Sequence, residues 1–224
     1  MTQKQHITPG RRTLLRGVLL GGAAVVTGCS TASPDESEPE TTDRASSAAS
    51  PGKRVLLAYY SRPGENFSYG ERTNLKVGNT EVLAGMISER IECDVHRIEA
   101  VDPYPFGYDE TVARNVREQD ADARPAIVDL PSSIERYDTV LLGSPIWNVR
   151  APMIMSTFAE RYDFGGKTVF PFTTHAMSGL GSTDRDYRAT CRGATIGEGL
   201  AVRGEEVRDA DGAVRSWLRR VGLL

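Results

Sequence analysis

The sequence predicts an α/β fold, a doubly wound five-stranded parallel sheet in the order 2-1-3-4-5. Three observations predict it. From Lys53 onward, short apolar runs alternate with segments of helical period, as strands joined by crossover helices do. The central runs are apolar throughout, so they are buried on both faces and need helices on both sides. Small and polar residues cluster after the first, third and fourth runs, at the carboxyl ends where such sheets hold ligands.

Residues 55–60 form the first strand. Residues 61–78 are a long loop, in which Phe67-Ser68-Tyr69, Gly70 and 73–77 read as a small hairpin excursion. Residues 79–92 place Val82, Leu83, Met86, Ile87 and Ile91 on one helical face. Residues 94–99 are the second strand, with Val95 and Ile98 as its apolar positions. Asp102-Pro103-Tyr104-Pro105 breaks the pattern before a polar helix, 108–123. After a connector at 132–138 come the third strand, 139–143, and a helix, 152–162, carrying Met153, Ile154 and Phe158. The fourth strand is 168–174, followed by a helix at 183–192. The fifth strand is 194–202, and the last helix, 211–221, carries Val214, Trp217, Leu218 and Val221. No internal repeat occurs.

The N-terminus reads as an address. Arg11-Arg12-Thr13-Leu14-Leu15-Arg16 is a twin-arginine pattern, and an apolar stretch too short to span a bilayer runs from 17 to 28. It ends in Val26-Thr27-Gly28-Cys29, which resembles a lipobox, so residues 1–28 are expected to be a signal peptide and Cys29 the lipidated residue. Residues 30–52 carry Ser, Thr, Ala, Pro, Glu and Asp and no aromatic side chain. They cannot bury a core, so 29–52 is expected to be a lipidated cysteine and disordered tether before a domain at 53–224. As a flexible chain the tether reaches roughly 25 Å. The expected location is therefore the outer face of the cytoplasmic membrane, held there by lipid.

Charge excludes other classes. The net charge of −3 becomes −7 once Lys4, Arg11, Arg12 and Arg16 are removed with the signal, an acidic body without a nucleic-acid footprint. His6, His96 and His175 are far apart in sequence and no Cys-x-x-Cys occurs, which argues against a zinc site. Cys93 and Cys191 can pair outside the cytoplasm or be two small buried apolar groups.

The loops carry the chemistry. Gly78-Asn79-Thr80 opens the first helix, where free N–H groups and the positive end of the helix dipole favour an anion. Gly78 has no Cβ to keep a phosphate off the backbone, and the Thr80 hydroxyl can bond a phosphate oxygen. Ser61 and Arg62 reach in from the strand end. The other candidate turn, around Gly64, has Pro63 without an N–H and Glu65 of like sign to a phosphate. Ser144-Pro145-Ile146-Trp147-Asn148 follows strand three and supplies an aromatic ring. Thr174-His175 with Ser178, Gly179 and Gly181 follows strand four and supplies hydroxyls and small residues. A phosphate cradle, a ring and small residues together suit a flat, phosphorylated aromatic ligand.

These loops, Tyr60-Ser61-Arg62 with Val77-Gly78-Asn79-Thr80, Gly143-Ser144-Pro145-Ile146-Trp147, and Thr174-His175 with Ser178-Gly179-Leu180-Gly181-Ser182, resemble the flavodoxin family in order and position. The resemblance covers 53–224 and points to a branch with an insertion in the phosphate loop. It implies the flavodoxin-like strand order and a non-covalent FMN. Asn148 stands where that branch often has a second aromatic.

Each site residue has a plain structural reading beside this one. Trp147 can stack on the ring or pack in the core, the two glycines can merely shape a turn, and His175 can bond the ring or a substrate or cap the next helix. Asp184 and Asp186 are the acids nearest that loop in sequence; they can tune a bound cofactor or begin the next helix as dipole partners. Gly-x-Ser-x-Gly is not met around Ser178, because Ala176 occupies the first place. No catalytic acid or base is required, since the cofactor carries the redox chemistry. The function expected is electron transfer with a redox partner protein or a membrane electron donor. A reductase taking NAD(P)H on the same fold, or a binding module without flavin, are the rivals.

Overall fold

β1 (Val55–Tyr60) is buried along its whole length, which puts it inside the sheet. The computed structural model describes residues 54–224; the expected signal, Cys29 and tether lie outside the described residues. After β1 come β2 (Gly64–Ser68), β3 (Glu71–Leu75), α1 (Asn79–Ser88), β4 (Asp94–Ala100), α2 (Tyr108–Asp120) and β5 (Ile127–Val128). Then follow β6 (Thr139–Pro145), α3 (Met153–Arg161), β7 (Thr168–His175), α4 (Thr183–Thr190), β8 (Thr195–Ile196), β9 (Leu200–Arg203), a 3-10 turn at Gly204–Asp209 and α5 (Asp211–Arg220).

The sheet runs β5-β4-β1-β6-β7, and β7 pairs on its far edge with β8 and then β9. All of these pairs are parallel except β4–β5. The parallel order is the expected 2-1-3-4-5, with β8 and β9 as two pieces of strand five and β5 as an added edge. The split has a cause. Val169 O accepts the Gly197 N–H, so the next residue of β7 to bond on that edge is Pro171, which has no N–H to give. The chain also needs glycine there: a Cβ on Gly197 would lie 2.2 Å from the Phe170 ring.

Alternate residues of β1 feed two cores. Leu56, Ala58 and Tyr60 pack with Ile154, Phe158 and Tyr187 from α3 and α4. Val55, Leu57 and Tyr59 pack with Leu83, Ile87, Trp217 and Leu218 from α1 and α5. Helices therefore cover both sheet faces, which is what an apolar run without alternation requires. Several expected bounds shift. The α1 helix stops at Ser88 rather than at 92, and Val95 is exposed, because Val95 and Ile98 are three apart and point to opposite faces of the strand. Cys93 and Cys191 are both free thiols.

The excursion between β1 and α1 is a hairpin. β2 and β3 pair antiparallel from Gly64↔Leu75 to Ser68↔Glu71. Tyr69 and Gly70, at φ 48° and 93°, make the two left-handed positions that a tight two-residue turn of this hand needs.

Candidate functional site

A cavity of about 380 Å³ opens at the carboxyl ends of β1, β6 and β7. Of the residues singled out in the sequence, Ser61, Arg62, Asn79, Thr80, Pro145, Ile146, Trp147, Asn148, Thr174 and His175 line it. The topology brings the three loops together because β1 lies between β4 and β6, and β6 beside β7.

The start of α1 borders the cavity. Ser61 Oγ accepts the Glu81 N–H at 3.0 Å, and Gly78 O accepts the N–H groups of Glu81 and Val82. The N–H groups of Asn79 and Thr80 precede any intrahelical acceptor. Beside them the buried Thr80 and Thr174 hydroxyls meet at 2.7 Å. This end of the cavity offers hydrogen-bond donors without a carboxylate among its lining residues.

Five of the expected residues do not line the cavity. Gly78 lies against the chain at the end of β1: a Cβ there would sit 2.3 Å from Ser61 Oγ and 2.6 Å from Arg62 O. The close passage of its own backbone is by itself enough to require the glycine. Ser144 is fully buried, with its Oγ in the core beside the Tyr187 hydroxyl. Ser178 and Gly179 shape the loop after β7: Ser178 O accepts the Gly181 N–H, and Gly179 O accepts from the Thr173 hydroxyl at 3.0 Å. Gly181 sits at φ 54°, and its missing Cβ makes room for Val149 O. Asp184 and Asp186 take their second reading. They lie in the first turn of α4, Asp184 bound by Arg188 and Asp186 by the Ser182 hydroxyl, with Arg150 at 3.6 Å.

Arg62 is committed to structure. Its guanidinium donates to Pro105 O and Phe106 O, both at 2.9 Å, and to Glu65 O, while its Nε is buried with no partner. Burial lowers the pKa of the guanidinium, with Tyr60 and Glu65 opposing. The arginine thereby ties the base of the hairpin to the loop before α2. Glu65 completes the tie: its N–H donates to Phe106 O, and its carboxylate accepts the Tyr108 N–H at 2.9 Å, at the start of α2.

The tie sets two walls that sequence reasoning missed. Asn66 and Phe67 come from the hairpin, and Tyr108, Thr111, Val112, Asn115 and Val116 from α2. A signal was present: these five fall at i, i+3, i+4, i+7 and i+8, a single stripe of a helix. Ala176 and Gly204 complete the lining.

Trp147 serves both of its readings. It lines the cavity, and it packs edge-on against Tyr60 and Tyr104, with centroids 5.7 and 5.2 Å away. Tyr104 donates to Glu118 at 2.6 Å; burial first, and that bond second, raise its pKa. After the ring the chain reverses in one step, Trp147 N–H donating to Arg150 O at 2.8 Å. The turn puts Asn148 at φ 49° and Val149 at φ 62°, a strained conformation for a β-branched residue. It is held there by α2: Asn148 donates to Gln119 Oε1, and Gln119 donates to Trp147 O. Across the cavity, His175 has its Nδ1 buried without a partner. Burial lowers its pKa, and Arg203 adds to the shift.

A family model described as Flavodoxin matches residues 75–221. No curated relative matches the chain. Among solved structures, a candidate flavoprotein from Bacteroides eggerthii is similar at 27% identity, covering 76% of this chain and 99% of its own, with a TM-score of 0.61. A second, from Bacteroides uniformis, is similar at 27% identity over 75% and 99%, with a TM-score of 0.59. A flavoprotein in complex with FMN from Lactobacillus acidophilus shares the fold at 20% identity over 71% and 99%, with a TM-score of 0.51. The family model spans more than half of the chain, and the sheet order and cavity agree with it: this protein belongs to the flavodoxin family.

Proposed function

We propose that this protein holds FMN without a covalent bond and transfers electrons, and that it does so outside the cytoplasm on a lipid anchor at Cys29. The observation that carries the cofactor is the cavity itself. One enclosure joins the donors at the start of α1 to the Trp147 ring, which fits a flat ring bearing one phosphate group. Asn79, Thr80 and Thr174 would hold the phosphate end, and Pro145, Ile146 and Trp147 the ring. The flavoprotein description of the two Bacteroides structures supports the same reading. FMN, when bound, supplies one- and two-electron chemistry, and the chain supplies position and electrostatics.

Export and anchoring rest on the twin-arginine pattern, the apolar run and Cys29. Pyridine nucleotides are not expected outside the cytoplasmic membrane, so the donor would be a protein or a membrane component. The test of the cofactor is the absorption spectrum of the purified protein, followed by heat release and chromatography. Flavin bands and FMN are expected. A colourless protein that takes up no FMN, or FAD as the main species, refutes the proposal.

A further inference from the structure

The mouth of the cavity carries a collar of exposed apolar side chains that no protein contact explains. Phe67 and Val116 stand on its lining. Met177 (83% exposed) follows the lining residues His175 and Ala176, and Val149 (61%) follows Asn148. Phe106 (68%) lies on the loop held by Arg62, and Tyr69 (71%) tips the hairpin, its N–H on Glu205 beside Gly204. These six come from five separate segments, and each lines the cavity or stands within two residues of a side chain that does. Exposed apolar groups gathered in one place mark a protein or a membrane surface.

The geometry points to a lipid surface as the occupant: the collar dips into the bilayer to which the chain is anchored, with the cavity mouth facing the membrane. This rests on the anchoring part of the proposed function. Composition argues for lipid: the collar mixes aromatic with aliphatic side chains, which settle at the boundary of headgroups and acyl chains, and Arg72, opposite Phe67, and Arg150, beside Val149, are placed to meet headgroups. The length of chain before the domain permits the orientation. β1 begins at Val55, at the end of the sheet away from the cavity, so a strand of about 20 Å separates the root of the tether from the mouth. A chain as long as that between Cys29 and Lys53 would reach roughly 25 Å if flexible, and several times that if extended. A lipid at Cys29 therefore leaves the domain free to turn its mouth to the surface. A ligand dissolved in the bilayer would then enter without crossing water.

The test uses the full, lipid-modified chain in vesicles containing brominated lipids. Met177→Trp reports from the collar, and Val95→Trp, at an exposed position on the N-terminal half of β4, reports from the far end. Trp147 and Trp217 give a background common to both. The expected result is that bromine cuts the emission added by Met177→Trp at least about two-fold, a contact effect at interfacial depth, and leaves that added by Val95→Trp unchanged. A chain that floats with the vesicles but shows equal quenching, or none, at both positions overturns the proposal and leaves the collar to a protein partner. A chain that does not float with the vesicles refutes the anchoring reading, and this inference with it.

Discussion

The Thr80 and Thr174 hydroxyls meet at 2.7 Å, joining the first turn of α1 to the end of β7 across 94 residues of chain. Removing one hydroxyl has two effects. Thr80→Val takes a donor from the proposed phosphate end, which predicts a loss of about ten- to a hundred-fold in FMN affinity, about 1.5–3 kcal/mol. It also strands the Thr174 hydroxyl in a buried place. Thr80→Val with Thr174→Val should recover stability and not affinity, because two apolar groups of the same shape leave nothing unpaired. Titration of apoprotein with FMN, beside thermal melting, separates the two effects. Full affinity in the double variant would remove Thr80 and Thr174 from the phosphate site.

Gly78→Ala should act on the fold before it acts on any ligand. Its Cβ would meet Ser61 Oγ and the Arg62 backbone, and overpacking of this kind costs about 1–3 kcal/mol. Gly64→Ala should be costly as well: Gly64 lies at φ 93°, with Phe106 O 2.7 Å from the added carbon. Both variants are expected to melt lower, by about 2–4 °C per kcal/mol for a domain of this size. An unchanged melting temperature for Gly78→Ala would contradict the packing role.

Arg62→Lys should fail to replace the arginine. A lysine has one ammonium group where the fork serves three carbonyls on two segments. The expected outcome is faster proteolytic cleavage in 102–107 and the same fault in Arg62→Met. Wild-type resistance in either variant would show that Glu65 alone holds the loop.

Acid should weaken the protein through its histidines before its carboxylates. Burial lowers the pKa of both His96 and His175 from the ordinary 6.5. The unfolded chain therefore takes up protons first, so stability is complete above 6.5 and is lost as pH falls from there through the lowered folded values. The Asp122 and Glu160 carboxylates, held low by Arg124, add their loss at still lower pH. Denaturant unfolding at about pH 7.5 and about pH 5.5 measures the first step. His96→Gln with His175→Gln should shrink the difference; an unchanged difference would assign it to other groups.

Export is tested in cells. Arg11→Lys with Arg12→Lys should leave the protein in the cytoplasm, and Cys29→Ala should abolish lipid attachment while export continues. Wild-type protein at full length in the cytoplasm would contradict both.

The sheet was legible because its strands are buried on both faces: Val55–Tyr60 needs no periodicity to be read as a strand. Loop ends were legible where polar residues follow such a run, as at Thr174-His175. Side chains that line the cavity from α2 were not, since a helix so polar hides a stripe of Val112, Asn115 and Val116 that faces a cavity rather than a core. Nor were the glycines. Sequence gives the permission a glycine grants, and only the fold says which neighbour uses it: at Gly78 the backbone of Arg62, at Gly181 the carbonyl of Val149. The split of strand five depended on which edge of β7 the Pro171 nitrogen faces, a register that local pattern does not carry.

The hairpin leaves and returns at nearly one point, since Gly78 touches the backbone it departed from at Ser61 and Arg62. Its strands pair only with each other, and the parallel sheet does not include them. Such a piece is portable. It can be shortened, exchanged or lengthened with little change to the path of β1 or α1, because its two ends already meet and a longer loop adds only slowly to the entropy of closure. One wall of the cavity thus sits on a part outside the sheet, with Glu65 at its base as the tie to the start of α2, while the others are fixed to the sheet and its helices. Variation in what the cavity accepts has an obvious place to occur beyond that tie, between Asn66 and Asn74, without a new fold being required.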